Sequence, residues 1–313
     1  MKIVMLDGDT LPQSPTRPDW CSAWDVRRST PHSEVVSALR GAQIAITNKI
    51  PLRAATLRQL PDLRYICVAA TGYDCIDLDA CREQGIVVSN VPGYSTRSVA
   101  ESVIAALFAL RRHLLDYANS TRQVWPTSSH FCVHRQPIQD IFGATLGIVG
   151  KGDIGRAVGE MAQALGMTVL FADRQGSSQP RAGYVPFEEV LARSDVLTLH
   201  CPLTPQTQQL INLTALAQMK PSAWLINTAR GGLINEAELA QALKQGVIAG
   251  AALDVLTSEP PAADHPLLQP AVPNLLLTPH IAWASQQGVT NLLQGIAGNL
   301  AAFAAGEARN VVS

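Results

Sequence analysis

The 313-residue sequence predicts an α/β fold in which helices cover both faces of parallel β-sheets. Short, continuous apolar runs alternate with amphipathic helical segments along the chain, which is typical of strands that are buried on both faces. Apolar residues make up 47% of the sequence and charged residues 16%, so there is enough apolar material to cover such sheets. The chain is long for a single hydrophobic core, and we expect two domains.

The first part of the sequence contains four predicted strands followed by a long helix. The strands are KIVML at 2–6, IAIT at 44–47, YICVA at 65–69 and IVVS at 86–89. The helix is expected from about Ser95 to Asn119. Its most apolar part, SVIAALFAL at 102–110, is far shorter than the roughly 20 residues that cross a bilayer, so no membrane partner is expected.

A second series of strands and helices follows a segment without periodicity between Asn119 and Phe142, which we interpret as the passage into a second α/β unit. A helix at 235–246 begins with acidic residues and ends at Gly246, as capping favours. A last helix, from about 284 to 305, leads into no strand and is expected to pack back on the first unit. The predicted strands are TLGIVG (145–150), TVLFA (168–172), VLTLH (196–200), AWLIN (223–227), IAGAAL (248–253) and LLLT (275–278).

Charge and cysteine usage exclude several classes of protein. The formal net charge of −1 leaves no basic excess for binding a nucleic acid. The N-terminal residues do not form a signal-peptide core, and the six cysteines form no C-x-x-C pair, which favours reduced thiols in the cytoplasm. His130, Cys132 and His134 have no fourth ligand at metal spacing, so no metal site is expected.

The stretch TLGIVGKGDIG places Gly150, Gly152 and Gly155 between a predicted strand and a predicted helix. In this G-x-G-x-x-G pattern the first glycine permits a tight turn and the second allows the backbone to approach a pyrophosphate. The third allows close packing of helix on strand, and the helix N-terminus attracts the anion. The next strand ends in an acidic residue, as dinucleotide sites require, and the pattern therefore predicts such a site.

That acidic residue is Asp173, which lies 18 residues after Gly155. A carboxylate at this position accepts hydrogen bonds from the ribose hydroxyls and repels a 2′-phosphate, so NAD(H) is favoured over NADP(H). Arg174 follows directly and leaves NADP(H) open as an alternative. Asp153 begins the helix, where a second anion would oppose the pyrophosphate; alternatively it faces outward and stabilises the helix dipole.

Three ionisable residues follow strands that we expect to be neighbours in one sheet. Arg230 lies after AWLIN, Glu259 after the run that ends at Asp254, and His280 after LLLT. A lone histidine among apolar residues is more often a core residue than a catalyst. Because ligands bind beyond the carboxyl ends of parallel strands, however, these side chains can meet in one cleft and supply an anion anchor and an acid/base.

Several long stretches make the chain resemble the D-isomer-specific 2-hydroxyacid dehydrogenases along nearly its whole length. They include NVPGYSTRSVAE, GIVGKGDIGRAVG, MKPSAWLINTARGGLINEAELAQAL, GAALDVLTSEPP and NLLLTPHIAWAS. Within that family, the ATGYD, NVPGYST and HIAW segments are most similar to the glycerate dehydrogenase or hydroxypyruvate reductase branch. The resemblance implies reduction of a small 2-keto acid, with hydroxypyruvate or glyoxylate favoured, to a D-2-hydroxy acid by NADH.

The resemblance also implies roles for individual residues. Arg230 would bind the substrate carboxylate and carbonyl oxygen, His280 would be the acid/base, and Glu259 would hydrogen-bond that histidine. The backbone of Thr71 and Gly72 would bind the substrate carboxylate. The residues implied to contact the cofactor are Gly150, Gly152, Asp153, Ile154, Gly155, Asp173, Arg174, Cys201, Pro202, Thr228, Ala229, Asp254, Ala282 and Trp283.

The family fold has two Rossmann-like, doubly wound domains, with the NAD-binding domain inserted into a discontinuous, flavodoxin-like substrate domain. Applied to this chain, it implies a substrate domain of residues 1–98 and 286–313 and an NAD-binding domain of residues 99–285. The family also implies a homodimer formed through the long helix after GYST and the loop that follows it.

Some alternatives stay open on the sequence. A non-catalytic NAD(H)-sensing protein on the same fold would retain many of these residues, because fold does not fix function. A relative that acts on formate or phosphonate is a second alternative. Lys49 either faces the cleft or is a solvated surface charge, and Trp283 either walls the substrate pocket or packs between domains.

Overall fold

The computed structural model describes residues 1–177 and 179–313 of the chain. No helix in this part of the chain is both long enough and apolar enough to cross a membrane. The strands found there are β1 (Lys2–Met5), β2 (Ala23–Val26), β3 (Ile44–Thr47), β4 (Tyr65–Val68), β5 (Val87–Ser89), β6 (Thr145–Val149), β7 (Thr168–Ala172), β8 (Val196–Leu199), β9 (Trp224–Asn227), β10 (Gly250–Leu253) and β11 (Leu275–Leu277). The α-helices are α1 (Val35–Leu39), α2 (Ala54–Leu57), α3 (Leu78–Glu83), α4 (Thr96–Arg111), α5 (Leu114–Val124), α6 (Asp153–Ala164), α7 (Phe187–Arg193), α8 (Leu213–Leu216), α9 (Glu236–Gln245) and α10 (Gln286–Ala304).

The chain forms two compact units, each built on one parallel sheet, as the sequence predicted. Residues 1–95 and 283–313 form the first unit, and residues 96–282 form the second, which is inserted into the first in chain order. Because the chain passes between units at Ser95–Thr96, the interpretation of the segment between Asn119 and Phe142 as that passage is wrong. The assignment of residues 1–98 and 286–313 to a substrate domain, and of residues 99–285 to an NAD-binding domain, stays a prediction.

The sheet of the first unit has the strand order β2-β1-β3-β4-β5, which is the flavodoxin-like order. Side chains of β1 alternate between its faces. Val4 of β1 and Leu6, which follows the strand, pack with α1 and its neighbours, whereas Ile3 and Met5 belong to the core that α10 completes. The short edge strand β2 was not predicted, because its sequence AWDV contains an aspartate and is only partly buried.

The last helix returns to the first unit, as its connectivity suggested. Phe303 of α10 stacks on Tyr65 of β4 with ring centroids 4.2 Å apart. After α10, the backbone N–H of Val312 donates to the carbonyl oxygen of Val88 at 2.8 Å, which adds the chain to the edge of the sheet. The first unit is therefore completed by residues from both ends of the chain.

The sheet of the second unit has the order β11-β10-β9-β8-β6-β7. Strand β6 lies between β7 and β8, so the order of the sheet reverses beside β6, and ligands of open α/β sheets bind at such a reversal. Outside β7, Val185 makes a single parallel bridge to Ala172. One face of the sheet packs against α7, α8 and α9, and the other packs against α4 and α6.

The predicted long helix from about Ser95 to Asn119 is two helices. His113, between α4 and α5, has a left-handed backbone with φ of 48°, which ends the first helix. Arg111 binds the carbonyl oxygen of Asp140 through Nε and Nη2 at 3.1 and 2.6 Å. This contact fixes the end of the segment that connects α5 to β6. None of the eleven residues of α5, all of which the structure describes, is buried.

Candidate active site and dinucleotide site

The loop between β6 and α6 has the three properties that the glycine pattern predicts. Gly150 has φ of 105°, and a Cβ there would lie 2.5 Å from the carbonyl carbon of His200. A Cβ on Gly155 would overlap the carbonyl oxygen of Gly150. At Gly152, in contrast, a Cβ would meet no described atom within 4 Å, so packing within the described residues does not require a glycine there. The loop therefore fits a pyrophosphate.

The N-terminus of α6 provides the second feature of an anion site. Gly152 is its N-cap, and among the described residues no side chain caps the first turn. Backbone N–H groups at such a helix end bind anions. Asp153 is paired with Arg156 at 2.5 Å and is exposed, as the outward-facing alternative predicted, while Ile154 packs on the core beneath the helix.

Asp173 follows β7, where the pattern placed it, but its carboxylate already has protein partners. Oδ1 accepts hydrogen bonds from the backbone N–H of Arg174 and from Nε of Arg181, both at 2.8 Å. Oδ2 accepts the backbone N–H of Arg181 at 2.7 Å. The Arg181 side chain, followed by this backbone bond, lowers the pKa of Asp173 to about 2. Arg181 lies eight residues after Asp173, and nothing in the sequence pattern indicated the pair.

Cys201 lies beside the glycine loop and Pro202 follows it, and their place on the adenosine side stays a prediction. A Cβ on Gly150 would be 2.6 Å from the backbone nitrogen of Cys201. Burial raises the pKa of the Cys201 thiol to about 11, so the thiol is protonated at neutral pH. The carbonyl oxygen of Pro202 accepts a hydrogen bond from Thr207 at 2.7 Å, which fixes the turn after β8.

The second unit brings His280 and Glu259 together. Nδ1 of His280 lies 2.6 Å from Oε2 of Glu259, and both side chains are about one-third exposed, at 27% and 34%. Oε1 of Glu259 accepts the backbone N–H of Leu256 at 2.8 Å. With Nδ1–H donating to the carboxylate, the tautomer is fixed and Nε2 is the nitrogen that would exchange a proton with a ligand.

Arg230 follows β9 in the same unit. Its Nη1 donates to the carbonyl oxygen of Ala229 at 2.7 Å, and its own carbonyl oxygen accepts the side chain of Asn227 at 2.8 Å. The N–H of Ala229 donates to Oδ1 of Asn227 at 3.0 Å, so the turn after β9 is tied to the end of the strand. The turn therefore presents Arg230 from a fixed backbone.

Asp254 fixes the segment that carries His280, a role that the sequence did not indicate. Its buried carboxylate accepts the hydroxyl of Thr278 at 2.5 Å and the N–H groups of Ile281 and Ala282 at 3.0 and 2.9 Å. His280 itself has φ of 55°, a left-handed conformation that costs a non-glycine residue about 1 kcal/mol. Asp254 is thus the residue whose hydrogen bonds hold this strained turn.

The loop that carries Glu259 is tethered by a second histidine and carboxylate. Oε1 of Glu236 accepts the backbone N–H of Thr257 at 2.7 Å, and Oε2 lies 3.1 Å from Nε2 of His265. Nδ1 of His265 accepts the backbone N–H of Leu267 at 3.3 Å. Glu236, at the start of α9, therefore binds the loop on both sides of Glu259.

An apolar cavity of about 290 Å³ lies in the second unit between α4 and the carboxyl-end half of β9, β10 and β11. Thr228 lines it, and its hydroxyl oxygen is buried with no hydrogen-bond partner among the described residues. The other lining residues are Ser102, Ala105, Ala106, Ala109, Leu115, Ile226, Ala252, Leu253, Asp254, Leu276, Thr278, Ile281 and Ala282.

The remaining candidate residues belong to the first unit. The carbonyl oxygen of Thr71 accepts Nδ2 of Asn90 at 2.7 Å, and its hydroxyl donates to the carbonyl oxygen of Val91, so the loop that includes Gly72 is fixed on one side. Trp283 packs on the α10 side of the sheet, with its ring 6.0 Å from that of Tyr94.

The role of Lys49 was left open on the sequence, and a metal site at His130, Cys132 and His134 was not expected. The backbone N–H of Lys49 donates to the buried carboxylate of Asp7 at 2.7 Å, which fixes the backbone at the end of β3. Within the described ranges no three His, Cys, Asp or Glu side chains are grouped as a metal site would need, although Sγ of Cys132 and Nε2 of His134 are 3.5 Å apart.

Comparison with known proteins identifies the family of the chain. The sequence model of the family described as "D-isomer specific 2-hydroxyacid dehydrogenase, NAD binding domain" matches residues 104–282. The chain is 46% identical to glycerate dehydrogenase of Methylorubrum extorquens over 99% of this chain and 98% of that protein. It is 37% identical to hydroxypyruvate reductase of Blautia hydrogenotrophica over the full length of both.

A solved structure has the same fold. The acyclic imino acid reductase Bsp5, in complex with NADPH and D-Arg, is 32% identical to this chain. The two superpose with a TM-score of 0.86 over 100% of each chain.

Proposed function

This chain belongs to the D-isomer specific 2-hydroxyacid dehydrogenase family, and we propose that it reduces hydroxypyruvate, and glyoxylate as a second substrate, with NADH. NAD-dependent reduction of a 2-keto acid is the activity that the family membership establishes. The relatives described above have enzyme names, and the non-catalytic NAD(H)-sensing alternative has no support from them. The observation that carries the proposal is the 2.6 Å pair of His280 and Glu259 in the same unit as the glycine loop.

His280 is the proposed proton donor. When bound, NADH would supply a hydride for the carbonyl carbon, and the electron pair of the C=O bond would move to the oxygen. Nε2 of the protonated imidazole then donates its proton to that oxygen, which balances the reaction as an alcohol. Glu259 stabilises the imidazolium through Nδ1 and fixes the orientation of the ring.

Arg230 is the proposed anchor for the substrate. A guanidinium binds a carboxylate with two parallel hydrogen bonds, and it also polarises a neighbouring carbonyl oxygen. The fixed turn after β9 and the bond from Nη1 to the carbonyl oxygen of Ala229 support this role, because they restrict the position of the guanidinium. We also assign the backbone of Thr71 and Gly72 to the carboxylate, on the resemblance.

The glycine loop and the start of α6 are the proposed site for the pyrophosphate. The open space beside Gly152 supports this assignment. Asp173 and Arg174 are assigned to the adenosine ribose, and Cys201 and Pro202 to the adenosine side. Thr228, Ala229, Asp254, Ala282 and Trp283 are assigned to the surroundings of the nicotinamide.

A substrate screen tests the proposed function. Purified protein is mixed with NADH and one of hydroxypyruvate, glyoxylate, pyruvate or 2-ketobutyrate, and the loss of absorbance at the nicotinamide band is followed. NADPH is tested in parallel, because the solved relative Bsp5 contains it. The highest kcat/KM is expected for hydroxypyruvate with NADH, and chiral chromatography should identify the product as D-glycerate. A higher kcat/KM for pyruvate would contradict the proposal. So would reduction of NAD⁺ by formate or phosphonate in a protein that oxidises NADH with none of the keto acids.

We further propose a homodimer that forms through the long helical segment after GYST, which is α4 and α5, and through the segment that follows α5. Seven large apolar side chains in this region are exposed by 39% to 90%, and α5 has no buried residue of its own. Exposed apolar patches of this kind mark interfaces, and an isolated helix of eleven residues is marginally stable in water. The seven residues are Phe108, Leu114, Leu115, Trp125, Phe131, Ile138 and Phe142.

The proposed compartment is the cytoplasm. Each of the six cysteines, all of which the structure describes, is a free thiol, as a reducing compartment favours. Six thiols should therefore react with a thiol reagent when protein that was purified without reductant is denatured.

A further inference from the structure

The carboxylate of Asp173 is covered by Arg181 and is not open to a ligand. In addition to the bonds through Nε and the backbone, Nη2 of Arg181 lies 2.6 Å from Oδ1. The side chain of Asp173 is 2% exposed, whereas that of Arg181 is 54% exposed. A ribose diol can therefore reach the carboxylate only if Arg181 moves aside.

A second cation lies on the same surface. Nζ of Lys151 donates to the carbonyl oxygen of Gly183 at 3.3 Å and lies 4.6 Å and 5.1 Å from the ring centroids of Phe171 and Tyr184. The guanidinium of Arg181 stacks on the same Tyr184 ring at 4.1 Å. Tyr184 thus holds two cations, one from the glycine loop and one from the residues after β7.

The Asp173 carboxylate alone would favour NADH over NADPH, and these contacts change that expectation. A bare carboxylate repels a 2′-phosphate, but this carboxylate is neutralised by a guanidinium that stays half exposed. The ammonium of Lys151 adds a further positive charge close to the pyrophosphate site. An incoming phosphate would meet cations at this surface, and arginine is well suited to bind it through two hydrogen bonds.

We propose that Arg181, assisted by Lys151, determines cofactor specificity by binding a 2′-phosphate, so that the chain accepts NADPH as well as NADH. The inference rests on the proposed dinucleotide site. An exposed ion pair on a surface loop has little energetic value by itself. Here, however, the pair blocks the group that would select NADH, and the aromatic stack of Tyr184 holds the arginine in that position.

Fragments of the two cofactors test the inference without any substrate. Isothermal titration calorimetry measures the affinities for 2′,5′-ADP and for 5′-AMP, which lacks the 2′-phosphate. Arg181→Gln should lower the affinity for 2′,5′-ADP by about tenfold or more. The affinity for 5′-AMP should stay the same or rise, because the ribose hydroxyls can then reach the carboxylate of Asp173. Lys151→Gln should have a smaller effect in the same direction. Arg193→Gln removes an equally exposed arginine, which is paired with Glu189 on α7, and should leave both affinities unchanged.

The results separate this inference from the proposed function. If Arg181→Gln changes the two affinities by the same factor, or changes neither, Arg181 does not bind the 2′-phosphate and the inference is wrong. If neither fragment binds to the unmodified protein, the dinucleotide site is wrong, and the inference fails with it. If the fragments are discriminated as expected but hydroxypyruvate is not reduced, only the substrate assignment fails.

Discussion

The carbonyl oxygen of Asp254 accepts the backbone N–H of His280 at 2.8 Å, and the carboxylate of the same aspartate binds the two residues that follow the histidine. Asp254, at the end of β10, therefore determines the position of the imidazole of His280. The two residues are 26 positions apart in the sequence. The left-handed backbone of His280 is held by this set of bonds and by the contact of its side chain with Glu259.

Replacement of the imidazole tests its role as the acid/base. We expect His280→Ala to lower kcat for hydroxypyruvate by about 10²- to 10⁴-fold, because the carbonyl oxygen loses its proton donor. The affinity for NADH, measured by nicotinamide fluorescence, should change by less than about twofold. His32→Ala removes an exposed histidine of the first unit and serves as the control. A turnover of His280→Ala close to that of the unmodified protein would show that another group moves the proton.

Two glycines of the loop after β6 should respond differently to alanine. At Gly152 the methyl group enters open space, so Gly152→Ala should keep the melting temperature and lower the affinity for NADH by about tenfold. Gly155→Ala brings the methyl group against the carbonyl oxygen of Gly150 and should lower the free energy of unfolding by about 2 kcal/mol. Thermal unfolding and fluorescence titration measure the two effects. An unchanged affinity for NADH in Gly152→Ala would mean that the space beside Gly152 has no ligand role.

The tether of the Glu259 loop should matter for turnover and not only for stability. Glu236→Gln weakens its bonds to Thr257 and His265, and we expect kcat to fall by about three- to tenfold with unchanged affinity for NADH. Glu238→Gln, on the same helix, is the matched control, because Glu238 binds the backbone N–H of Leu213 and not this loop. If both variants lose kcat in proportion to their loss of stability, Glu236 has only a structural role.

His200 should make stability depend on pH. Burial lowers its pKa to about 4, below the ordinary value of 6.5 that applies in the unfolded chain. Between these values the unfolded state binds more protons than the folded state, so stability falls as the pH falls from about 6.5 to 4, by about 3 kcal/mol at most. His200→Gln should flatten this part of the curve of melting temperature against pH, whereas His32→Gln should not. Parallel curves for the three proteins would contradict the expectation.

The exposed apolar side chains of the α5 region predict a mass of twice 33.5 kDa by light scattering. The double variant Leu115→Glu, Phe131→Glu should shift the protein toward the monomer, because two charges would have to be buried in the interface. Leu268→Glu changes a leucine outside this region that is 41% exposed and should leave the mass unchanged. A mass of 33.5 kDa for the unmodified protein would refute the proposed dimer.

The sequence predicted the buried strands well and the polar contacts poorly. Continuous apolar runs located β3 and β7 at their observed residues, because burial on both faces leaves a strong local signal. The edge strand β2 was missed because its partly buried sequence AWDV contains an aspartate and forms no continuous apolar run, although it pairs with β1. The left-handed residue His113 also left no pattern, and one helix was predicted where there are two.

The candidate site shows the same limit. Arg230, Glu259 and His280 could be named because each follows a predicted strand, and the resemblance gave each a role. The contact of Arg181 with Asp173 depends on how the intervening loop folds back, which no periodicity or spacing records. The role of Asp254 as the anchor of the His280 turn likewise follows from three-dimensional contacts alone.

The return of the chain to the first unit determines the order in which the two units can complete their folding during synthesis. The sheet of residues 1–95 obtains the apolar cover of α10 only after residues 96–282 have been translated, which takes roughly 10 to 40 s at about 5–20 residues per second. During that interval the α10 face of β1, β3 and β4, with Ile3, Ile44 and Tyr65, lacks its cover, whereas the inserted unit has all its strands once residue 282 has left the ribosome. We therefore expect the nascent first unit to be the part of the chain that depends on chaperones.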